Sequence, residues 1–263
     1  MTLQMNCKVL DNSEISPQLY MMLLEAPELA AIAQPGQFVH VRVADTSDPL
    51  LRRPISLHGI DKQNGTITLL YQVVGRGTQL LAQWEKGREI DVMGPLGKGF
   101  ILPEEVENIT VVGGGIGAAP LFPLLSLLKQ SGKKIKVIFG ARNKEALIGL
   151  DKIREMGLDT YIATDDGSAG HKGFVTDILI QENKHLKPDY IYACGPEPML
   201  AKVVEIALAA GIPGQVSLEE RMGCGVGACL ACVCKIKVGD GFNYSKVCNE
   251  GPVYDLREVL FHG

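Results

Sequence analysis

The sequence has no long run of basic residues and no long run of apolar ones. Lysine and arginine total 26 against 30 aspartate and glutamate, a formal net charge of −4. Such a chain has no electrostatic footprint for nucleic acid and no polybasic segment for anionic lipid. The longest apolar candidate, residues 118–128, is interrupted by Pro120 and Pro123. It is shorter than the roughly 18–20 residues that cross a bilayer, so no membrane span is expected.

Sequence signals for secretion, for repeats and for histidine-based sites are also missing. Residues 1–16, MTLQMNCKVLDNSEIS, lack a charged start followed by an apolar core, so we expect no secretory signal and a cytoplasmic protein. There are no repeats, and the 5 histidines are scattered without the spacing of a triad or a metal site. We therefore assign no catalytic residue from a side-chain constellation.

The pattern of apolar residues divides the chain into three regions. Residues 1–101 contain short β-branched segments such as 66–74, separated by glycine and proline, which predicts a small antiparallel barrel. In residues 102–215 strands alternate with helices, which predicts a parallel sheet with helices on both faces. One such helix is capped by Asn143 and ends near residue 157. Residues 216–263 are rich in glycine and cysteine, as expected for a loop around a metal centre.

Cysteine is concentrated in the last region. In a reducing compartment such a cluster indicates metal binding before disulfides. The spacing C-x4-C-x2-C followed by a distant fourth cysteine is that of plant-type [2Fe–2S] sites. The predicted ligands are Cys224, Cys229, Cys232 and Cys248. A structural zinc site, which usually has two Cys-x2-Cys pairs, stays the alternative. Cys234 is expected to be a small buried hydrophobe.

A glycine-rich turn follows the first strand of the second region. Residues 111–120, VVGGGIGAAP, put Gly113, Gly115 and Gly117 between a strand and a helix, where peptide N–H groups can cradle a pyrophosphate. A turn required only for packing is the alternative. The next strand ends at residues 139–142, FGAR, without the carboxylate that binds ribose in NAD enzymes. We expect a dinucleotide domain of another kind.

Four motifs occur in order along the chain. They are Arg53-Pro54-Ile55-Ser56, GRGT at 75–78, the glycine-rich turn and CGPEPM at 194–199. In these motifs the sequence resembles the ferredoxin–NADP reductase superfamily. With the cysteine segment added, the whole chain resembles the electron-transfer subunits of NAD-dependent class B dihydroorotate dehydrogenases. The resemblance implies an FAD-binding barrel, an NAD-binding α/β domain and a small [2Fe–2S] segment.

The resemblance also implies roles for single residues. Arg53 would pair with the FAD pyrophosphate, a two-point contact suited to guanidinium, and Ser56 would lie beside the flavin N5. The superfamily often has an aromatic residue where this chain has Ile55. The further implied FAD contacts are Pro54, Leu70, Tyr71, Gln72, Gly77 and Thr78. Cys194 and Gly195 would lie near the nicotinamide.

The implied activity is electron transfer in pyrimidine biosynthesis. Dihydroorotate would reduce FMN in a separate catalytic subunit, and electrons would pass through the cluster and FAD to NAD, in a heterotetramer of two copies of each subunit. The alternatives are a flavin/[2Fe–2S] subunit of an NADH-dependent ferredoxin–NADP oxidoreductase or of a sulfur reductase and, in another class, a zinc-stabilised binding module. NADP in place of NAD also stays open, because Arg142 can meet a 2′-phosphate. Residues 165–168, DDGS, are expected to form a turn with solvated carboxylates.

Overall fold

The computed structural model describes residues Thr2–Phe261. Its first part contains strands β1 (Leu3–Ser16), β2 (Leu19–Glu25), β3 (Phe38–Val41), β4 (Arg53–Asp61), β5 (Thr66–Gln72) and β6 (Glu89–Leu96), with short helices α1 (Pro27–Ile32) and α2 (Arg76–Leu81). The strands close into a barrel in the order β1-β2-β5-β4-β3-β6. All neighbouring strands run antiparallel. The predicted antiparallel barrel is confirmed.

Apolar side chains at every second position of the strands fill the barrel interior. On β5, Ile67, Leu69 and Tyr71 are buried, at the period-two spacing seen in the sequence. Across β2, Leu24 pairs with Ile67 and Met22 pairs with Leu69, and both partners are fully buried. Successive side chains of a strand point to opposite faces, so this alternation buries one face of each strand in a single core.

The second part is a parallel sheet flanked by helices. Its elements are strands β7 (Asn108–Gly114), β8 (Lys134–Ala141), β9 (Asp159–Thr164), β10 (His171–Lys172), β11 (Tyr190–Cys194) and β12 (Gly214–Ser217), and helices α3 (Leu121–Gln130), α4 (Leu150–Glu155), α5 (Val175–His185) and α6 (Glu197–Ala209). The strand order β10-β9-β8-β7-β11-β12 brings the carboxyl ends of the strands to one edge. The predicted α/β architecture is confirmed.

The helix expected from Asn143 to residue 157 is shorter than the sequence indicated. Asn143 accepts a hydrogen bond from Ala146 N–H, but this caps only a 3-10 turn over Lys144–Ala146. Helix α4 begins at Leu150, after Gly149 with a φ of 65°. A residue in this left-handed conformation cannot continue a right-handed helix, so the segment splits in two.

The C-terminal part carries strands β13 (Val233–Val238), β14 (Gly241–Lys246), β15 (Val253–Asp255) and β16 (Val259–Leu260). Three of them form a small antiparallel sheet in the order β14-β13-β16. Strand β15 instead extends the large sheet by pairing antiparallel with β12. The segment is therefore built partly into the large sheet. Within Thr2–Phe261 no helix has both the length and the apolar character needed to cross a membrane.

His58 on β4 joins the barrel to helix α3. Its Nδ1 lies 3.1 Å from the carbonyl oxygen of Ala119, and its ring packs against Phe122 with centroids 4.7 Å apart. Burial lowers the pKa of His58 to about 4, and the charge of Lys152 lowers it further. The imidazole is thus neutral in the folded protein at neutral pH.

Acid is expected to destabilise the chain through His58. Because the folded pKa is about 4 and the unfolded value is 6.5, stability is complete above pH 6.5 and is lost as the pH falls towards 4. Between pH 7.5 and 5 this group alone accounts for about 2 kcal/mol. The urea midpoint of His58→Leu should therefore fall less over this range than that of the unsubstituted chain. An equal fall in both proteins would contradict the assignment.

Candidate functional site

A cavity of about 410 Å³ opens between the barrel and the large sheet. Its walls include most of the residues implied in FAD binding, and also Cys194. The sequence-predicted residues in its lining are Arg53, Pro54, Ile55, Ser56, Leu70, Tyr71, Gln72, Thr78 and Cys194. They come from β4, β5, α2 and β11, so the fold gathers into one cavity a set that is scattered along the chain.

Arg53 provides an available positive charge at this cavity. Its Nη1 donates hydrogen bonds to the carbonyl oxygens of Leu51 and Arg52, at 2.6 and 3.4 Å. A Cβ on Gly77 would lie 2.4 Å from Arg53 Nε, so only glycine lets the guanidinium pack on this backbone. Among the described residues no carboxylate pairs with Arg53, whereas Arg52 is paired with Asp91. The arrangement fits an anionic group such as a pyrophosphate.

Two other residues of the cavity have structural roles as well. The Oγ1 of Thr78 accepts hydrogen bonds from the N–H groups of Val74 and Gly75, at 3.0 and 3.3 Å, which fixes the start of α2. The hydroxyl of Tyr71 donates to Asn12 Oδ1 at 2.9 Å, and burial raises the pKa of this phenol. Tyr71 thus belongs to the barrel core and also lines the cavity.

A larger cavity of about 820 Å³ lies at the carboxyl ends of the parallel strands. Gly115 lines it, together with Gly114, Arg142 and Asp165. The two cavities share Gln72 and Ile116 in their linings, so they adjoin.

The other two glycines of the predicted nucleotide turn do not line this cavity. A Cβ on Gly113 would meet the Phe139 ring at 2.7 Å, and one on Gly117 would meet Gly195 Cα at 2.6 Å. Gly113, Gly117 and Gly195 therefore allow close packing beneath the turn.

The wall of the smaller cavity contains groups that no sequence motif marked. Ser217 pairs with Cys194 across β11 and β12, and Glu219 lies nearby in the lining of the smaller cavity. Glu219 is open to the cavity but crowded by protein atoms, and this desolvation raises the pKa of its carboxyl. Burial likewise raises the pKa of Cys194, with the charge of Glu219 adding to the effect, so its thiol stays protonated. No local motif marked these groups, because the wall is assembled from distant segments.

The predicted cluster ligands lie in and after the loop between β12 and β13. All seven cysteines are free thiols. The sulfur of Cys224 accepts hydrogen bonds from the N–H groups of Val226, Ala228 and Cys229, at 3.4, 3.3 and 3.4 Å. Burial would raise the pKa of Cys224, but these N–H donors outweigh it and lower the pKa to about 6. This part of the loop is therefore arranged to hold a thiolate at Cys224, whereas burial raises the pKa of Cys248.

Peptide N–H groups link the four cysteines into two pairs. Cys224 N–H donates to the Cys229 sulfur at 3.4 Å, and Cys248 N–H donates to the Cys232 sulfur at 3.4 Å. Gly227 N–H donates to the Cys248 sulfur at 3.1 Å. Within Thr2–Phe261 no three His, Cys, Asp or Glu side chains converge on a position for a single metal ion. Two cysteine pairs with N–H donors fit a centre of two irons, each bound by two cysteines.

The cysteine loop lies between the smaller cavity and the surface. Glu220 and Met222, just before Cys224, line the smaller cavity. On the other side Cys229 is exposed, and so are Val226 and Leu230. Cys234 is buried among apolar residues, where burial raises the pKa of its thiol. Its place agrees with the expected packing role.

An arginine-bearing cavity on a barrel, an adjoining cavity on a parallel sheet and a four-thiol loop define an oxidoreductase of the flavin, nicotinamide and iron–sulfur class. Family models match this division. "Oxidoreductase FAD-binding domain" matches residues 6–100, "Oxidoreductase NAD-binding domain" matches 111–205, and "Iron-sulfur cluster binding domain of dihydroorotate dehydrogenase B" matches 219–260. The predicted cofactors, FAD, a [2Fe–2S] cluster and NAD, are confirmed, and the zinc alternative is disfavoured.

Curated relatives align with nearly the whole chain. The dihydroorotate dehydrogenase B (NAD(+)) electron transfer subunit of Desulforamulus reducens is 43% identical and is matched over 97% of this chain and 98% of its own length. The subunit of the same name from Geobacillus kaustophilus is 46% identical over 94% of each chain. This chain belongs to the family of dihydroorotate dehydrogenase B electron transfer subunits, as the resemblance indicated.

Solved structures agree on the fold. A chain of an NADH-dependent reduced ferredoxin–NADP oxidoreductase is 32% identical, with a TM-score of 0.82 over 97% of this chain and 90% of that one. The ferredoxin reductase of carbazole 1,9a-dioxygenase is 22% identical, with a TM-score of 0.69 over 80% of this chain and 67% of that one. The second comparison supports only the fold.

Proposed function

We propose that this chain carries electrons between NAD and the FMN of a dihydroorotate-oxidising catalytic subunit, in pyrimidine biosynthesis. The observation that carries the proposal is the continuous arrangement of the two adjoining cavities and the cysteine loop. When bound, FAD can exchange electrons in pairs with NAD and singly with a [2Fe–2S] cluster. The relatives named dihydroorotate dehydrogenase B are more similar to this chain than the ferredoxin–NADP oxidoreductase, which favours the first activity over the alternative.

The chain's own residues bind and orient the reactants. Arg53 with Gly77 and Thr78 would hold the FAD pyrophosphate, and Ser56 would present its hydroxyl to the flavin edge. The apolar wall of Ile55 and the other lining residues would exclude water. Gly115 would hold the NAD pyrophosphate, and the neutral thiol of Cys194 would support the nicotinamide where the cavities adjoin. The four paired cysteines would ligate the cluster.

The domain limits that we propose are 1–101 for FAD binding, 102–215 for NAD binding and 216–263 for the cluster. The three family matches fall inside these limits. We also propose a cytoplasmic location, which suits seven free thiols.

Asp165 is the residue that we expect to favour NAD over NADP. It lines the larger cavity at the end of β9, whereas the carboxylate of Asp166 accepts hydrogen bonds from the N–H and hydroxyl of Ser168, at 2.9 and 2.6 Å. The expected turn thus involves Asp166 and leaves Asp165 facing the cavity. A carboxylate there can accept hydrogen bonds from the ribose hydroxyls and repels a 2′-phosphate. The end of β8, where NAD enzymes carry such a carboxylate, has none.

Replacing Asp165 by serine should raise the KM for NADH by about tenfold, because charge-assisted hydrogen bonds to the ribose are lost. The ratio of kcat/KM for NADPH to that for NADH should rise. Steady-state dye reduction with both nucleotides measures the effect. Asp159→Ser, at the other end of the same strand, serves as the control. A ratio that does not change in Asp165→Ser would leave Arg142 as the better candidate for nucleotide selection.

The partner surface is expected to surround the exposed side of the cysteine loop. Val226 and Leu230 are 49% and 61% exposed there, beside the exposed Cys229. Apolar side chains at such a position are typical of an interface core. We propose that the catalytic subunit binds this surface, in a heterotetramer with two copies of each subunit.

The complex itself tests the function. Coexpression with an FMN-containing, dihydroorotate-oxidising subunit should give a stable complex that reduces NAD with dihydroorotate. Leu230→Asp should weaken the complex by at least about tenfold, since a charge is placed in a desolvated contact. Leu186→Asp, at the end of helix α5, is the matched exposed control. A chain that binds no such subunit, or a complex that reduces no NAD, would refute the proposed function.

A further inference from the structure

His40 is a buried histidine whose side chain lies outside the barrel core. On β3, Val39 and Val41 point into the barrel core, while Phe38 packs in the same cluster as Cys232. By strand alternation His40 lies on the same outer face as Phe38, towards the cysteine segment. Its neighbours across the sheet are Pro54 on β4 and Met93 on β6.

The imidazole of His40 is fully buried, and neither ring nitrogen makes a hydrogen bond of full geometry within Thr2–Phe261. Buried polar groups are almost always paired, so an exception calls for an explanation. Burial lowers the pKa of His40 to about 4, and the charges of Arg52 and Arg53 lower it further. A looser polar contact with the Cys224 backbone raises this pKa in part. The ring therefore adds shape and a dipole, but no charge, at neutral pH.

The ring lies directly beneath the turn that carries the first cluster ligand. A Cβ on Gly225 would lie 2.5 Å from His40 Nδ1, and Gly225 has a φ of 73°. The imidazole thus occupies the space that any side chain at position 225 would need, and only glycine readily adopts this backbone conformation. His40 and Gly225 form a tight contact between the FAD barrel and the cysteine loop.

The contact adjoins a hydrogen-bonded turn. Immediately after Gly225, the N–H groups of Val226, Ala228 and Cys229 all point at the Cys224 sulfur. Such donors stabilise negative charge on a thiolate, and hydrogen bonds to the sulfurs are among the factors that set the potential of an iron–sulfur centre. Because the three donors belong to one turn, a shift of that turn would change all three distances.

We propose that His40 is a positioning residue for the iron–sulfur centre, seating the Cys224–Gly225 turn on the barrel so that three peptide N–H groups converge on the Cys224 sulfur. The inference rests on the cluster role proposed above. It assigns to a barrel residue, 184 positions before the first ligand, an effect on the properties of the centre.

The first test compares His40→Leu with the unsubstituted full chain after anaerobic reconstitution. We measure iron and sulfide per chain, FAD content, the EPR spectrum of the reduced centre and its midpoint potential. His40→Leu is expected to keep FAD, and either to lose iron or to keep it with altered g-values and a more negative potential. His40→Gln, which retains a neutral donor of similar length, should recover part of the loss. His58→Leu, another buried histidine of the barrel, should keep the iron, the spectrum and the potential unchanged.

Wild-type iron content, spectrum and potential in His40→Leu would overturn the inference. An unsubstituted chain that takes up neither iron nor FAD would instead contradict the proposed function, so the two failures are distinguishable.

A double-mutant cycle decides the question if His40→Leu does not fold. Gly225→Ala introduces backbone strain in any background, but it meets the imidazole only when His40 is present. We expect Gly225→Ala to reduce iron retention, and the further change His40→Ala to restore part of it, because residues in contact give non-additive effects. Strictly additive losses, or wild-type iron and EPR in Gly225→Ala alone, would overturn the inference.

Discussion

Cys229→Ala is expected to abolish electron transfer to the partner while leaving the flavin reaction intact. The substitution removes one thiolate of the Cys224–Cys229 pair, so a two-iron centre loses one of its four protein ligands. NADH should still reduce the bound FAD and a small-molecule dye, because Cys229 lines neither cavity. NADH-driven reduction of the partner's FMN should fall to background. Rapid-mixing absorbance measurements on the complex follow both reactions.

Cys234→Ala is the matched control for this experiment. Cys234 lies two residues after Cys232 but is buried in apolar packing, outside the two sulfur pairs. Its loss should cost about 1 kcal/mol of stability and leave iron content and FMN reduction unchanged. Undiminished FMN reduction in Cys229→Ala would contradict the path through the cysteine loop. Loss of iron in Cys234→Ala would contradict the ligand set.

Arg53→Ala is expected to weaken FAD binding by about 10- to 100-fold, since one or two charge-assisted hydrogen bonds to phosphate are lost. The guanidinium lies on the Gly77 backbone and has no carboxylate partner among the described residues, so its charge is available to a ligand. Fluorescence titration of the FAD-depleted chain measures the change in Kd.

Arg52→Ala is the neighbouring comparison. Arg52 donates to Asp91 Oδ2 at 2.5 Å, and this half-buried pair ties the residue just before β4 to β6. Its removal should lower the stability of the barrel without a comparable change in the affinity for FAD. If Arg52→Ala weakens FAD binding more than Arg53→Ala does, the assignment of the pyrophosphate contact to Arg53 is wrong.

Local sequence patterns were sufficient to predict the barrel and the parallel sheet. The alternation of Ile67, Leu69 and Tyr71 predicted a strand with one buried face, and the change to alternating strands and helices predicted the parallel sheet. The cysteine spacing predicted the cluster because four ligands around two irons impose a fixed separation along the chain. In each case the constraint acts within a short segment, so the sequence records it directly.

Features that depend on distant segments could not be predicted in this way. Glu219 and Ser217 reach the flavin cavity only because β12 lies beside β11, and β15 joins β12 across an intervening loop and hairpin. The contact of His40 with Gly225 likewise requires the barrel and the cysteine segment to pack together. No periodicity or motif at any of these positions encodes the pairing.

The glycine-rich turn shows a second limit of prediction from the sequence. Gly113, Gly115 and Gly117 are equivalent in the sequence, yet only Gly115 lines the larger cavity, while the other two allow Phe139 and Gly195 to approach. A glycine required for packing and one required for a ligand look the same in a motif. The structure distinguishes them by what a Cβ would meet.

We expect this one chain to hold a two-electron carrier and a one-electron carrier within reach of each other. Anaerobic reductive titration of the reconstituted chain tests it most directly. About three electron equivalents per chain are expected, two taken up with flavin bleaching and one with the appearance of an EPR signal. A chain that takes up only two, with no EPR signal and no iron, would contradict it.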